Sequence, residues 1–461
     1  MIIVLSGALL VTACGSRRSD AELLALARGA DSTGTEPGGT SVVGVGGASG
    51  STSIGGAGVT GPGAIPGQSP DVVGRGAAGQ GDPAASDDAA VAAPCPHQLS
   101  PIIIGSVGEY SGILGAVLKP GMQAVQAWAA SVNADGGLKC HPVQYIVADD
   151  GGDPSTHQAL VRRLVEEQGV IAFVHMSAPL AGQASFSYLS EHQIPVVGGS
   201  GSQPWYFQSP TYFMAMTDGL AAVEGDIAAI AKWGHANGMS NYGQVVCLEA
   251  AQCKVWDDKA PEYTQRYGLN LVYRGQASLT QPDFTAVCQN AQDAGVQLFL
   301  VALDTNSARR LFRNCKSVGY SPVFVTGGAL VTPDLIADDE AEGALAVTAT
   351  IPPIHTDNPS IARFQSVLAQ FAPGLALNMG SIPGWPSAML FERAAQSVSE
   401  PPTSASLLQA LWSIKDDDLG GITAPLTFNE GQNAVPRICF WTLRIHDRAI
   451  VDASDGSRTC E

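Results

Sequence analysis

VNADGGLKCHPVQYIVADDGGDPSTHQALVRRLV, residues 132–165, decides the fold. It opens on the end of an amphipathic stretch, Met122–Val132, that stops at Ala134-Asp135-Gly136-Gly137. Val143–Ala148 then reads as a strand, closed by the turn Asp149-Asp150-Gly151-Gly152. Asp153 is a sound N-cap and Pro154 suits the first helical position, where its missing N–H costs nothing. Leu160, Leu164 and Val165 give the helix an apolar face, and Gly169 ends it. A helix, a short apolar strand and a second helix joined by glycine turns are the alternation from which βαβ units with parallel strands are built.

The pattern extends in both directions. Pro101–Val107 is a preceding strand, followed by a glycine-bearing turn from Gly108 to Gly121. Downstream, Val170–His175, Pro195–Val197, Gln244–Leu248, Val296–Leu303 and Val323–Val325 read as strands. Ala221–Trp233, a segment capped by Asp283 through Asn290, and Ser307–Val318 read as helices. About 360 residues of this alternation exceed one ordinary domain and predict two α/β, Rossmann-like lobes with parallel sheets. No internal repeat is evident.

The whole chain has 461 residues, with 24 Lys+Arg against 42 Asp+Glu, a net charge of −18. That balance excludes a nucleic-acid binder, which needs a basic footprint. The first hundred residues are of another kind. Ile2–Ala13 is too short an apolar run to span a bilayer and fits a secretory signal. Its end, Val11-Thr12-Ala13-Cys14, resembles a bacterial lipobox. The expectation is a signal peptide over 1–13 and lipidation of Cys14, anchoring the protein outside the cytoplasm on the bacterial cell membrane. Residues 31–80 hold 16 Gly, and no Phe, Trp or Tyr precedes Tyr110. Such a segment buries too little apolar surface to offset its ordering entropy, so 14–94 reads as a disordered linker. Its r.m.s. span is about 50 Å.

Nine cysteines less Cys14 leave eight: Cys95, Cys140, Cys247, Cys253, Cys288, Cys315, Cys439 and Cys460. An even set in an exported chain suggests disulfides. Local pairing is preferred: Cys95–Cys140, Cys247–Cys253, Cys288–Cys315 and Cys439–Cys460. No CxxC and no Cys/His cluster has zinc-ligand spacing, so no metal and no cofactor is expected.

In open α/β sheets ligands sit at the carboxyl ends of strands. The loops there carry Ser, Thr, Gly, Gln and a few aromatics. Gly198-Gly199-Ser200-Gly201-Ser202 can cradle an anion or zwitterion through backbone N–H groups and hydroxyls. As a hydrolase nucleophile elbow it fails, because G-x-S-x-G requires glycine where Ser202 stands. His175 lies near Ser177, with no assignable carboxylate to complete a triad, so no enzyme is expected. Asp149, Asp150 and Asp153 lack the alternate ligand spacing of a Ca²⁺ loop. Trp385 suits either a ligand stack or the core.

With these residues in view, residues ~100–450 resemble the branched-chain amino-acid (Leu/Ile/Val) binding proteins, the type I periplasmic binding proteins of ABC importers. The opening IIIGSVGEYSG, which ends on Ser111-Gly112, matches the family's first strand and Ser-Gly loop. The block 132–165 matches most specifically. IPVVGGSGSQP and Ala424-Pro425-Leu426-Thr427-Phe428 match further on. The resemblance implies two lobes joined by three crossovers near Thr217–Gly219, Thr326–Gly328 and Cys439–Trp441. Residues 95–218 with 329–438 then form the first lobe, and 219–328 with 439–461 the second. It also implies a ligand held by Ser177, Ala178, Ser200, Gly201 and Ser202, with Ser111 nearby. The family's second-lobe aromatic falls near Cys253, beside Trp256. Its ammonium-binding acid falls at Gln281, which accepts a hydrogen bond but adds no charge.

The function implied is a lipid-anchored, extracytoplasmic solute-binding protein. It would capture an amino acid or related carboxylate or amide between hinged lobes and present it to an ABC permease. A ligand-sensing receptor that signals to a partner is the alternative, and an exported hydrolase a weaker one.

Overall fold

The β-branched run at Ile102–Gly108 (β1) forms a strand buried almost along its whole length, as a central parallel strand requires. The helix after it, α1 (Gly112–Ala134), begins at Gly112 rather than Met122, and Pro120 lies inside it. The glycines read as a turn are contact glycines. A Cβ on Gly115 would sit 2.9 Å from the Tyr110 carbonyl oxygen, and one on Gly121 would strike the His175 ring.

The computed structural model describes residues 95, 97–199, 203–216, 219–249, 251–435, 437–454 and 458–460. The expected signal peptide, Cys14, the linker, Ser200, Gly201 and Ser202 lie outside the described residues.

After α1 come β2 (Val143–Asp149), α2 (Pro154–Glu166), β3 (Ala172–Met176), α3 (Phe186–Glu191), β4 (Val196–Gly199) and β5 (Tyr212–Phe213). Asp153 caps α2 as expected, accepting the Thr156 N–H at 2.7 Å, with Pro154 in the first turn. These five strands form one parallel sheet in the order β2-β1-β3-β4-β5.

The chain then builds a second sheet through α4 (Gly219–Ala236), β6 (Asn241–Cys247), α5 (Ala251–Arg266), β7 (Asn270–Ala277) and α6 (Thr285–Asp293). It continues with β8 (Leu298–Ala302), α7 (Thr305–Ser317), β9 (Val323–Gly327), α8 (Pro333–Ile336) and β10 (Leu345–Thr348). Phe284 stands at the cap position of α6, and Asp283 accepts the Thr285 N–H at 2.9 Å. Three helices, α9 (Pro359–Phe371), α10 (Gly384–Ala395) and α11 (Ser404–Trp412), return to the first lobe, where α9 and α10 pack on α1. The chain ends in the second sheet with β11 (Cys439–His446), β12 (Ala449–Asp452) and β13 (Thr459–Cys460). The parallel part runs β7-β6-β8-β9-β10, and β11 and β12 add antiparallel edges.

Two separate apolar cores result. One gathers Trp128, Phe173, Phe364, Trp385 and Phe391; the other gathers Tyr242, Phe284, Phe299, Phe312 and Phe324. The second crossover is not at Thr326–Gly328. β10 pairs with β9 and β11, and Ala344–Val347 belong to the second core, so the chain stays in the second lobe until Thr348. It crosses at Ala349–Thr350 and enters the first core at Ile351.

The four disulfides pair as the sequence suggested: Cys95–Cys140, Cys247–Cys253, Cys288–Cys315 and Cys439–Cys460. The first lies in the first lobe and the other three in the second, so no disulfide staples one lobe to the other among the described residues. Among the described residues, no helix is long and apolar enough to cross a membrane.

Candidate functional site

Both sheets share one strand logic, with the second strand on one side of the first and the later strands on the other. The order reverses between β1 and β3 in the first lobe, and between β6 and β8 in the second. Loops that diverge at such a switch point leave a crevice beyond the carboxyl ends of the strands. The residues to inspect are therefore Glu109–Ser111 and Ser177–Ala178 on one lobe, and Leu248–Glu249 and Leu303–Asp304 on the other.

In the first lobe, β3 and β4 are kinked at matched positions. His175 has φ +56° and Gly198 has φ +71°. A positive φ on a non-glycine residue costs about 1–2 kcal/mol, and its neighbours must hold it. The buried His175 Nδ1 lies 3.1 Å from Ser387 Oγ, whose hydroxyl donates to the Pro383 carbonyl at 3.2 Å. The histidine proton therefore sits on Nδ1, and Nε2 is free to accept from Ser177 Oγ at 3.3 Å. Burial pushes His175 down to about 4, so it is neutral at pH 7. A Ser–His pair does exist here, but its third member is the Ser387 hydroxyl, which cannot stabilise an imidazolium as a carboxylate would.

Ser177 and Ala178 are both buried. The Ala178 N–H donates to Tyr206 Oη at 3.2 Å, and that hydroxyl donates to the Met176 carbonyl at 2.9 Å. The amide that the resemblance offered to a ligand anion is thus held by Tyr206. Sequence reading missed this tyrosine because it lies in an aromatic run, Pro204–Phe207, that resembles core. Below it, Glu109 Oε1 accepts the N–H groups of Leu180 at 2.6 Å and Ala181 at 3.1 Å. Burial pushes the Glu109 carboxyl up, against the pull of those two amides, and Asp150 nearby adds to the rise. Asp150 Oδ2 itself lies 2.7 Å from the Nδ1 of buried His157, so the aspartate turn is partly tied into the interior.

Ser111 is exposed beside Asp149. Partial burial pushes the Asp149 carboxyl up, but the hydroxyl of Ser111 and the amides of Gly151 and Tyr110 outweigh it and keep the group ionised.

In the second lobe the switch point carries Glu249. Its Oε1 accepts from Ser278 Oγ at 2.6 Å and from the Leu279 N–H at 3.0 Å. The Ser278 hydroxyl leads the interactions that hold this exposed carboxyl below its ordinary range. The Cys247–Cys253 disulfide closes the loop that bears it. The expected Gln281 sits after β7, off the switch point, and its side chain donates to the Asp283 carbonyl at 2.6 Å. Strand order places Glu249, and not Gln281, at the switch point.

Neither tryptophan is placed to stack on a ligand. Trp256 is buried in the second core. Trp385 has no exposed surface, stacks on Phe364 at 4.6 Å between centroids, and donates to Ser360 Oγ at 2.9 Å. The apolar groups that do meet solvent at the carboxyl ends are Leu180, 62% exposed, and Leu248, 60% exposed.

Two α/β lobes with matched switch points define the two-lobe architecture of a periplasmic-binding-protein-like fold. The chain belongs to the periplasmic binding protein family, whose model matches residues 101–449. Similar solved structures include a leucine-binding protein from Thermotoga maritima, at 14% identity and TM-score 0.59, covering 76% of this chain and 97% of that one. A fatty acid ABC transporter substrate-binding protein from Thermomonospora curvata is 18% identical with TM-score 0.63, covering 77% and 92%. An ABC-transporter solute-binding protein from R. palustris, in complex with benzoate, is 14% identical with TM-score 0.62, covering 77% and 96%. No curated protein matches the chain. Likeness at this identity establishes the fold, and the three differ in what they bind.

Proposed function

We propose that this protein is an extracytoplasmic solute-binding lipoprotein of an ABC importer, anchored through Cys14. It captures a small polar ligand, an amino acid or a related amide or carboxylate, between its lobes. The observation that carries the ligand class is Glu249: an ionised, exposed carboxylate at the second lobe's switch point, fixed by Ser278 and Leu279. A preoriented carboxylate suits an ammonium or amide N–H, and it supplies the charge that Gln281 lacks. The Ser177 hydroxyl, Ser111 and the serines at 200 and 202 supply hydrogen bonds from the other lobe, and Leu180 and Leu248 offer apolar contact. The three crossovers absorb the hinge rotation, and the closed form is what a permease recognises.

Native mass spectrometry of the purified protein, followed by thermal-shift titration of amino acids, their amides and their deaminated carboxylates, tests this reading. The expected result is stabilisation by a ligand bearing an ammonium or amide. A protein that responds only to ligands lacking any N–H donor would refute the role given to Glu249.

A further inference from the structure

Away from the switch points, a cavity of about 320 Å³ opens on the hinge itself. Chain leading into all three crossovers lines it: Met214–Met216 just before the first, Ala349 at the second, and Val435 and Arg437 just before the third. The remaining wall is the segment 424–429 with Phe207. That wall is fixed to its neighbours. Leu426 pairs with Asp417 through both backbone groups, the Asp416 N–H donates to Thr427 Oγ1 at 3.0 Å, and the Lys415 ammonium donates to the Phe428 carbonyl. The cavity therefore has one rigid side and one side made of the segments that must rotate when the lobes move.

Its chemistry is specific. Phe207, Met214, Met216, Leu426 and Phe428 make an apolar floor, and methionines adapt to irregular shapes. Among the described residues, Arg437 is the one ionisable residue in the lining. It is exposed and forms no ion pair among the described residues. Lys415, behind the wall, contacts carbonyl oxygens and the Asn429 side chain. Glu430, the acid nearest to Arg437 in sequence, accepts from Gln409 at 3.4 Å. In a chain of net charge −18, Arg437 is thus a cation with no ion pair among the described residues, set beside apolar surface.

We propose that the hinge cavity is a second binding site, which takes a small organic anion with an apolar body. The apolar part lies on the Met214–Phe428 floor and the anionic head meets Arg437. The size falls at the lower end of ordinary ligand pockets. Because chain leading into the crossovers forms its wall, an occupant favours the lobe angle at which it fits and so couples to ligand capture in the cleft.

Two fluorescent probes that differ by a single sulfonate test this on the full chain: 1-anilinonaphthalene-8-sulfonate and its neutral parent N-phenyl-1-naphthylamine. Wild type should bind the sulfonate more tightly. Arg437→Gln should weaken the sulfonate by about three- to tenfold and leave the neutral probe unchanged. Ala349→Leu, which fills the cavity, should weaken both. Failure of wild type to bind either probe, or unchanged sulfonate affinity in Arg437→Gln, overturns the proposal whatever Ala349→Leu does. Arg437 is exposed, so its substitution leaves folding intact.

Discussion

His175 gives the protein a pH dependence that can be worked out from its surroundings. Its ring is buried among α1, α10 and β3, with Gly121 and Ser387 against it, and burial lowers it from the ordinary 6.5 to about 4. In the unfolded chain the same imidazole takes up a proton near pH 6.5. Between those values the unfolded state binds more protons than the native state, so stability falls as pH is lowered. A tenfold change in a protonation equilibrium is worth about 1.4 kcal/mol, so the full shift corresponds to about 3 kcal/mol, lost mostly between pH 6.5 and 4. Glu109 acts in the opposite direction: its carboxyl is raised, so it stabilises the native state more as pH falls. Comparison with His175→Asn removes that term, because Glu109 is present in both proteins. Asparagine also tolerates the positive φ at this position. Urea unfolding at a series of pH values from 7.5 to 4.5 should show wild type losing about 2–3 kcal/mol more than His175→Asn across the range. Parallel stability curves for the two proteins would refute a buried, neutral His175.

Three other outcomes follow from particular contacts. Glu249→Gln should weaken an ammonium-bearing ligand by about tenfold in calorimetric titration and leave unfolding by urea unchanged, because the residue is exposed. Gly384→Ala should destabilise the first lobe by about 1–3 kcal/mol in urea unfolding, since a Cβ there meets the Gly121 carbonyl of α1 and neither backbone can retreat. Replacing Cys288 and Cys315 together by alanine should cost about 2–4 kcal/mol, because their disulfide joins α6 to α7 across 27 residues of chain.

Much of the fold was legible because parallel strands are short apolar runs and helix starts carry caps. Asp153 with Pro154 marked α2 correctly, and short sequence separations favoured the disulfide pairs that form. The misreadings have physical causes. Gly112, Gly115 and Gly121 read as breakers, yet the last two are small because Tyr110 and His175 lie against the helix. β10 is only four residues long, so the second crossover was placed before it rather than after. The site was less legible than the fold. A tryptophan between glycine and proline suits a ligand stack or the core alike, and only packing decides: Trp385 faces Phe364 inside the lobe. The positions of Glu249 and Tyr206 follow from strand order and from a loop folded back on β3, neither of which local sequence encodes.

The proposed function requires the two lobes to close on a bound small molecule. Small-angle X-ray scattering of the purified protein, with and without a saturating ligand whose binding calorimetry has established, tests it most directly. A smaller radius of gyration is expected in the bound state, with the change lost in a variant that no longer binds. Superimposable scattering curves for a protein that demonstrably holds its ligand would contradict it.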